Sequence, residues 1–270
     1  ARSRVDLHMH STLSDGALPP IDLLRGCAEG RLNYIAITDH DMPPSLEAGW
    51  HEVGSRRIYL IHATELSAVY ENRELHLLVY FPGEMPSDFR EFLRSRAMER
   101  AERYDTAVTN LGLEGLSPAD RGARNGERAI TRTHLAHALV SAGHATNIGH
   151  AFRSWIGNHT GHVPKVTLGW EEAIVRARAS GGLTSWAHPP LDLAQEWAEP
   201  FSKMGLHALE TRRPALGRHG RARLERIAHK NGLAMTGGSD WHGLPGQNLG
   251  QFCMPGKEAR PFLRALELPF

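Results

Sequence analysis

The sequence predicts an α/β fold, in which βα units surround a largely parallel sheet and one all-helical block interrupts them. Short apolar runs of strand length alternate with stretches of helical periodicity along most of the 270 residues. Between roughly residues 87 and 162 no run reads as a strand. Histidines and acids also recur where the apolar runs end. Sites in parallel βα folds assemble there, because the loops at the carboxyl ends of the strands converge.

The elements follow in order. Residues 5–9 alternate apolar and polar side chains as a short strand does, and Pro19-Pro20 opens a helix over 21–30. A buried strand over 34–38 runs into Asp39-His40-Asp41, and Pro43 and Pro44 open another helix. Residues 57–68 and 74–81 read as two strands across the polar turn Tyr70-Glu71-Asn72-Arg73. Three further strands cover 182–186, ending at His188, 206–211, ending near Glu210, and 233–236, ending at Asp240. In the block between them, 87–113 is a charged helix, 117–128 a polar loop, and 131–143 and 147–156 two more helices. The block reads as an inserted cap. The expected division is a barrel domain of residues 1–86 and 163–270 carrying the site, and a helical insert of 87–162 covering it.

With 41% hydrophobic and 23% charged residues the composition is that of an ordinary globular chain. No run approaches the ~18 apolar residues of a membrane span, and the opening residues lack a signal-peptide core. Cys27 and Cys253 are far apart and outside any Cys-x-x-Cys spacing, which argues against a disulfide framework or a thiolate metal site and fits a reducing cytoplasm. A net charge of +1 gives no nucleic-acid footprint. The outlier is the 17 histidines, histidine being the commonest metal ligand.

His8 and His10 lie two apart on the first strand, so both imidazoles project to one side and can chelate one cation. Asp15, in the turn that follows, adds a carboxylate. His40, Glu65, His76, His188, Asp240 and His242 recur near the ends of other strands. Six imidazoles and three carboxylates without a thiolate suit Mn²⁺, Zn²⁺ or Fe²⁺ rather than Ca²⁺. Three divalent ions on three carboxylates would leave enough positive charge for a phosphate dianion, whereas two would leave the site near neutral. Such clusters lower the pKa of bound water and clamp both oxygens of an in-line displacement, which favours phosphoester hydrolysis.

These residues carry a resemblance. Asp6-Leu-His-x-His-Ser-x-x-Ser-Asp-Gly, Thr38-Asp39-His40-Asp41, Glu65, His76, Ala187-His188-Pro189 and Gly238-Ser239-Asp240-Trp241-His242 resemble the polymerase and histidinol phosphatase (PHP) family, in its order and over nearly the whole chain. The resemblance implies a distorted (β/α)7 barrel with a three-metal phosphoesterase site. It implies that His8, His10, Glu65 and Asp240 hold one ion and that Glu65 bridges to a second held by His76 and His188. Asp15, His40 and His242 would hold the third. Glu65 and Asp240 would be the catalytic carboxylates, bridging ions and activating the attacking hydroxide. Some relatives have His where this chain has Asp15, and the carboxylate makes the third site harder.

Within the block, Ile130-Thr131-Arg132-Thr133-His134-Leu135-Ala136, the helix through Phe152-Arg153 and the return Gly161-His162-Val163-Pro164 resemble the subgroup acting on nucleotides and short RNA ends. The resemblance implies that Arg132 and His134 reach substrate phosphate, with Arg153 a further contact; guanidinium binds phosphate bidentately. Lys165 stands beside the return without a settled role. Arg121, Arg124 and Arg128 read as a solvated loop, and His144, His150, His159 and His162 take no role. The expected activity is phosphate release from a 3′,5′-nucleoside bisphosphate such as 3′,5′-adenosine bisphosphate, by a cytoplasmic enzyme with two or three divalent ions, Mn²⁺ foremost. Exonucleolytic release of 5′-nucleotides from short RNA is the nearest alternative. Histidinol phosphate hydrolysis, or a non-catalytic metal-holding module, stand further off. No obligate protein partner is evident.

Overall fold

The structure, a computed structural model, describes residues 3–214 and 216–269. Seven strands form a nearly closed, barrel-shaped wall in the order β8 (Ala234–Gly237), β7 (Ala208–Arg212), β6 (Leu183–Trp186), β5 (Arg73–Tyr80), β4 (Arg56–Tyr70), β2 (Tyr34–Ile37) and β1 (Arg4–Asp6). The short β9 (Met254–Pro255) pairs with the free edge of β1, and β3 (Gly49–Val53) pairs with β4 off this path. Beyond β1 the chain bonds to the end of β8: Leu7 N–H donates to Gly237 O at 3.1 Å, and Met9 bridges Trp241 in parallel. That contact closes the barrel.

The sheet is mixed rather than largely parallel. β1–β2, β2–β4, β6–β7 and β7–β8 are parallel, but β4–β5 and β5–β6 are antiparallel. The reason is local. The two-residue turn Glu71-Asn72, both at positive φ, folds β4 directly back into β5 as a hairpin. The helix expected after Pro43-Pro44 does not form. Turn and bend lead there into β3, whose alternating burial is that of an edge strand paired to β4. The first strand is shorter than its alternation suggested, because Leu7, His8 and His10 bond to residues 237–241, while on the β2 side Met9 O accepts from Thr38 N–H at 2.8 Å.

Apolar packing follows from the strand period. The inner faces contribute Val5, Tyr34, Ile61, Leu78 and Ala208 to one buried cluster, which Phe262 and Leu263 of α9 (Gly256–Ala265) and the following Leu266 complete. Outside, α1 (Pro20–Glu29) lays Leu23, Leu24 and Cys27 on Ile35 and Leu60. On the other flank α6 (Trp170–Ala179), α7 (Leu191–Met204) and α8 (Arg218–Lys230) cover β5, β6 and β7 through Trp170, Phe201 and Leu224. Burying a Leu or Phe side chain contributes about 1.5–3 kcal/mol, so these faces dominate the stability.

Residues 87–162 hold no strand among the described residues. Helix α2 (Ser87–Leu111) places Phe89 and Leu93 in the same cluster as the outer faces of β4 and β5, then runs on to Ala107, which belongs to a second, smaller core. That core gathers Leu135 and Leu139 of α4 (Arg132–Ser141) with Ala151 of α5 (Ile148–Ala151) and Ile156. The expected single helix through 147–156 is α5 continued by a π-helical turn at Phe152–Ile156, and the polar loop contains one helical turn, α3 (Arg121–Arg124). No helix among the described residues is long and apolar enough to cross a membrane.

Candidate metal centre

All nine sequence-predicted ligands converge around Glu65. This side chain sits inside β4, fully buried, rather than at a strand end, and His76 likewise lies within β5. One carboxylate oxygen, Oε2, lies 3.3 Å from His8 Nε2, 3.2 Å from His10 Nε2 and 3.2 Å from His40 Nδ1. The other, Oε1, lies 3.0 Å from both His76 Nδ1 and His188 Nε2. Asp240 Oδ1 approaches His8 and His10 at 3.4 and 3.3 Å. Asp15 Oδ1 lies 3.3 Å from His242 Nε2 and 3.9 Å from His40 Nε2. Donor atoms of His8, His10 and Asp240, of His8, Glu65 and His188, of His40, Glu65 and His76, and of His10, Asp15, His40 and His242 form groups compact enough for a single ion.

The backbone explains the convergence. His8 and His10 both project inward because the chain is extended beyond β1, held by Asp240 N–H on His8 O at 2.8 Å and His10 N–H on Trp241 O at 2.9 Å. Asp41, His188 and Asp240 adopt positive φ (50°, 31° and 50°), a strain that non-glycine residues seldom carry and that clusters at functional sites. Two glycines are sterically required. A Cβ on Gly238 would lie 2.2 Å from that of His8, and one on Gly16 would lie 2.0 Å from His10 O.

Five buried polar atoms without a hydrogen-bond partner belong to this cluster: His8 Nε2, His10 Nε2, Asp15 Oδ1, His40 Nδ1 and Glu65 Oε2. Orphaned buried groups are rare and costly unless something else satisfies them. Imidazole nitrogens and carboxylate oxygens aimed at one another across 3–4 Å are what divalent transition ions satisfy. The residues present therefore fit such ions.

The charges agree. Burial opposes protonation of His8, but Glu65, Asp240 and Glu210 outweigh it and raise its pKa well above the usual range. Burial likewise opposes protonation of His10, yet the nearby carboxylates of Asp240 and Glu65 push it up to about 10. Burial acts against the ionised form of Glu65 as well, and His8, His76 and His40 hold it far below the carboxylate range. Without metal, protons on His8 and His10 thus take the place of cations and ions must displace them, whereas burial holds the pKa of His40 well below the usual range.

Sequence reasoning missed the groups that hold this cluster in shape. Asp39 is buried and accepts from Ser11 N–H at 2.7 Å, Ser11 Oγ at 2.6 Å and Ser14 Oγ at 2.6 Å, which fixes the loop between His10 and Asp15. Asp41 accepts from Arg100 of α2 and from Ser67 N–H. An acid directly beside a ligand histidine was the available signal for both. Thr131 caps α4 and donates from Oγ1 to Asp15 Oδ2 at 3.0 Å, so the helical segment touches the centre.

The predicted substrate contacts divide. Arg132 lies toward the centre with NH2 3.5 Å from Glu74 Oε1, while Arg103 NH2 donates to Glu74 Oε2 at 2.7 Å. Burial resists ionisation of Glu74, but Arg132 and Arg103 hold its pKa down to about 2. His134 completes the cap of α4, its Nδ1 accepting from Thr131 N–H, and burial lowers its pKa. Arg153 and Lys165 are exposed. A cavity of about 440 Å³ between α2 and residues 164–167 is lined by Arg96, Arg100, Arg103 and Lys165.

A PHP domain signature matches residues 6–173. The chain belongs to the PHP family. The 5′-3′ exoribonuclease Rnm of Escherichia coli (strain K12) is 32% identical over 252 residues, covering 88% of this chain and 84% of the relative. The 3′,5′-nucleoside bisphosphate phosphatase of Chromobacterium violaceum is 28% identical, covering 98% of this chain and 97% of the relative. A crystal structure from Bifidobacterium adolescentis, assigned as a metal-dependent phosphoesterase, superposes with a TM-score of 0.77 at 27% identity, covering 97% and 96% of the two chains. This PHP protein is a metal-dependent phosphoesterase.

Proposed function

We propose that this phosphoesterase releases phosphate from 3′,5′-nucleoside bisphosphates. The observation that carries the reading is the surplus of positive charge beside the centre. Two guanidinium groups, Arg103 and Arg132, share the single carboxylate of Glu74. Glu74 stands two residues before His76 and on the same face of β5. A substrate with one phosphate at the cluster and a second reaching these arginines satisfies both charges, and a monophosphate satisfies only one.

His8, His10, Glu65 and Asp240 would hold one ion, His76 and His188 with Glu65 a second, and Asp15, His40 and His242 a third; the mixed imidazole and carboxylate donors suit Mn²⁺, Zn²⁺ or Fe²⁺. Bound there, the ions supply a Lewis acid and an activated water. The protein does the rest. His8, His10 and Glu65 are fully buried and set the floor, whereas His76, His188, Asp240 and His242 are 20–36% exposed in their side chains and form the rim where substrate arrives. Residues 87–162 act as the cap, fixed to the barrel by Thr131 on Asp15 and Arg100 on Asp41. Arg132 holds the phosphate that is not cleaved.

The 32% identity to an exoribonuclease favours a second reading, release of 5′-nucleotides from short 5′-phosphorylated RNA. Phosphate release from 3′,5′-adenosine bisphosphate and nucleotide release from a 5′-phosphorylated RNA pentamer, measured with Mn²⁺ added, distinguish the two. The proposal expects the bisphosphate to have the higher kcat/KM. A rate on bisphosphate no better than on adenosine monophosphates overturns it.

A further inference from the structure

We infer that Glu210 is a positioning residue for the metal centre, holding the ring of His8 and the backbone of His188 in one binding geometry. The inference rests on the metal reading of the preceding subsection. Glu210 lies on β7 with no solvent exposure, and each of its oxygens has a separate task. Oε1 is 3.0 Å from His8 Nδ1, and Oε2 accepts the backbone N–H of His188 at 2.7 Å.

The first contact decides which nitrogen of His8 is available. An imidazole binds a cation through an unprotonated nitrogen, so its proton must sit on the other one. A carboxylate at Nδ1 keeps the proton there and turns the Nε2 lone pair toward Glu65 and Asp240, which lie 3.3 and 3.4 Å away. The second contact helps hold His188 at φ 31°, a conformation uncommon for any residue but glycine. From that backbone its Nε2 reaches Glu65 Oε1 at 3.0 Å. One carboxylate thereby sets a ligand on each of two neighbouring ions.

Packing alone does not account for this residue. Among the described residues Glu210 pairs with no lysine or arginine, and an apolar side chain would fill a buried strand position without the cost of a buried charge. Glutamine cannot replace it either. With its oxygen on His188 N–H, its amide NH₂ donates to Nδ1 and drives the His8 proton to the nitrogen that should face the ion. With the oxygen on His8, two N–H groups oppose each other at His188.

The test titrates Mn²⁺ into metal-stripped wild type and Glu210→Gln by calorimetry, with bound metal counted by elemental analysis. Thermal melts of the stripped proteins run alongside. The expected result is a ~10- to 100-fold loss of affinity in at least one site, kcat reduced, KM little changed, and a stripped-form Tm close to wild type. Wild-type affinity and stoichiometry in Glu210→Gln overturn the inference alone. A stripped variant already unfolded at the assay temperature assigns Glu210 to the scaffold and overturns it equally. Failure of wild type to bind Mn²⁺ overturns the metal reading and this inference together.

Discussion

Six histidines of the barrel and three of the helical segment do opposite things. In the barrel, His8, His10, His40, His76, His188 and His242 turn their nitrogens toward carboxylates at the focus of converging strands. In the helical segment, His144 Nε2 bonds Glu114 O at 2.7 Å, His159 Nε2 bonds Arg153 O at 2.9 Å, and His150 Nδ1 accepts from Thr146 N–H. These are ties between loops and helix ends. The contrast teaches that residue type is a poor guide to function without the convergence that strands impose.

The largest expected effect breaks the contrast at its centre. Glu65→Ala removes the carboxylate that faces five imidazoles, and turnover should fall by orders of magnitude with loss of bound metal. Near wild-type turnover in metal-replete buffer would contradict the cluster. Next comes the one cationic side chain by which α4 reaches Glu74. Arg132→Ala should cost about 2–4 kcal/mol in kcat/KM for 3′,5′-adenosine bisphosphate and far less for a 5′-monophosphate. Equal losses on both would place Arg132 at the reacting phosphate instead.

Acidity gives a smaller but distinctive effect. The folded pKa of His10, about 10, exceeds its unfolded value of about 6.5. Its contribution to stability is therefore complete below about pH 6.5 and disappears as pH rises toward 10. Metal-stripped protein should show a Tm that declines across that window, while metal-loaded protein stays level. A level Tm in the stripped form would show that His10 gains no such proton. Thr131→Ala removes both a helix cap and the tie to Asp15, and should lower stability by about 1 kcal/mol in denaturant unfolding. Arg153→Ala comes last. Its side chain is exposed, so bisphosphate kcat/KM should change less than about twofold, within the range of ordinary surface substitutions. A tenfold loss would bring Arg153 into the site.

Much of the barrel was legible because its signals are local. The apolar run over 57–68, the turn at Glu71-Asn72 and the ligand motifs are each short and continuous in the sequence. Strand direction was legible only where a tight turn joins two strands, as between β4 and β5; elsewhere, as for β5 and β6, the same apolar run serves a parallel or an antiparallel neighbour. The helix expected after Pro43-Pro44 failed because pairing with β4 overrode local propensity, giving β3. Glu65 and His76 were found as residues but misplaced as strand ends, β4 and β5 being long enough to run past the centre. Arg96 and Arg100 look like solvent-facing charges on a helix and are buried, because Asp41, Ser67 and Thr167 come to them from elsewhere in the chain. Such partners are set by tertiary contact alone.

The closure between the first and last barrel strands has a consequence for assembly. His8 and His10 stand on one side of that seam and Asp240 and His242 on the other, joined by Asp240 N–H on His8 O, across more than 230 residues of chain. Ions held by donors from both sides would act as a clasp. No portion of the chain lacking either side can offer the full donor set, so tight metal capture reports that the last strand has found its place. Opening the seam in the loaded protein would then break ligand bonds as well as backbone ones, so the phosphoesterase centre would also be the fastening that resists unravelling from both ends.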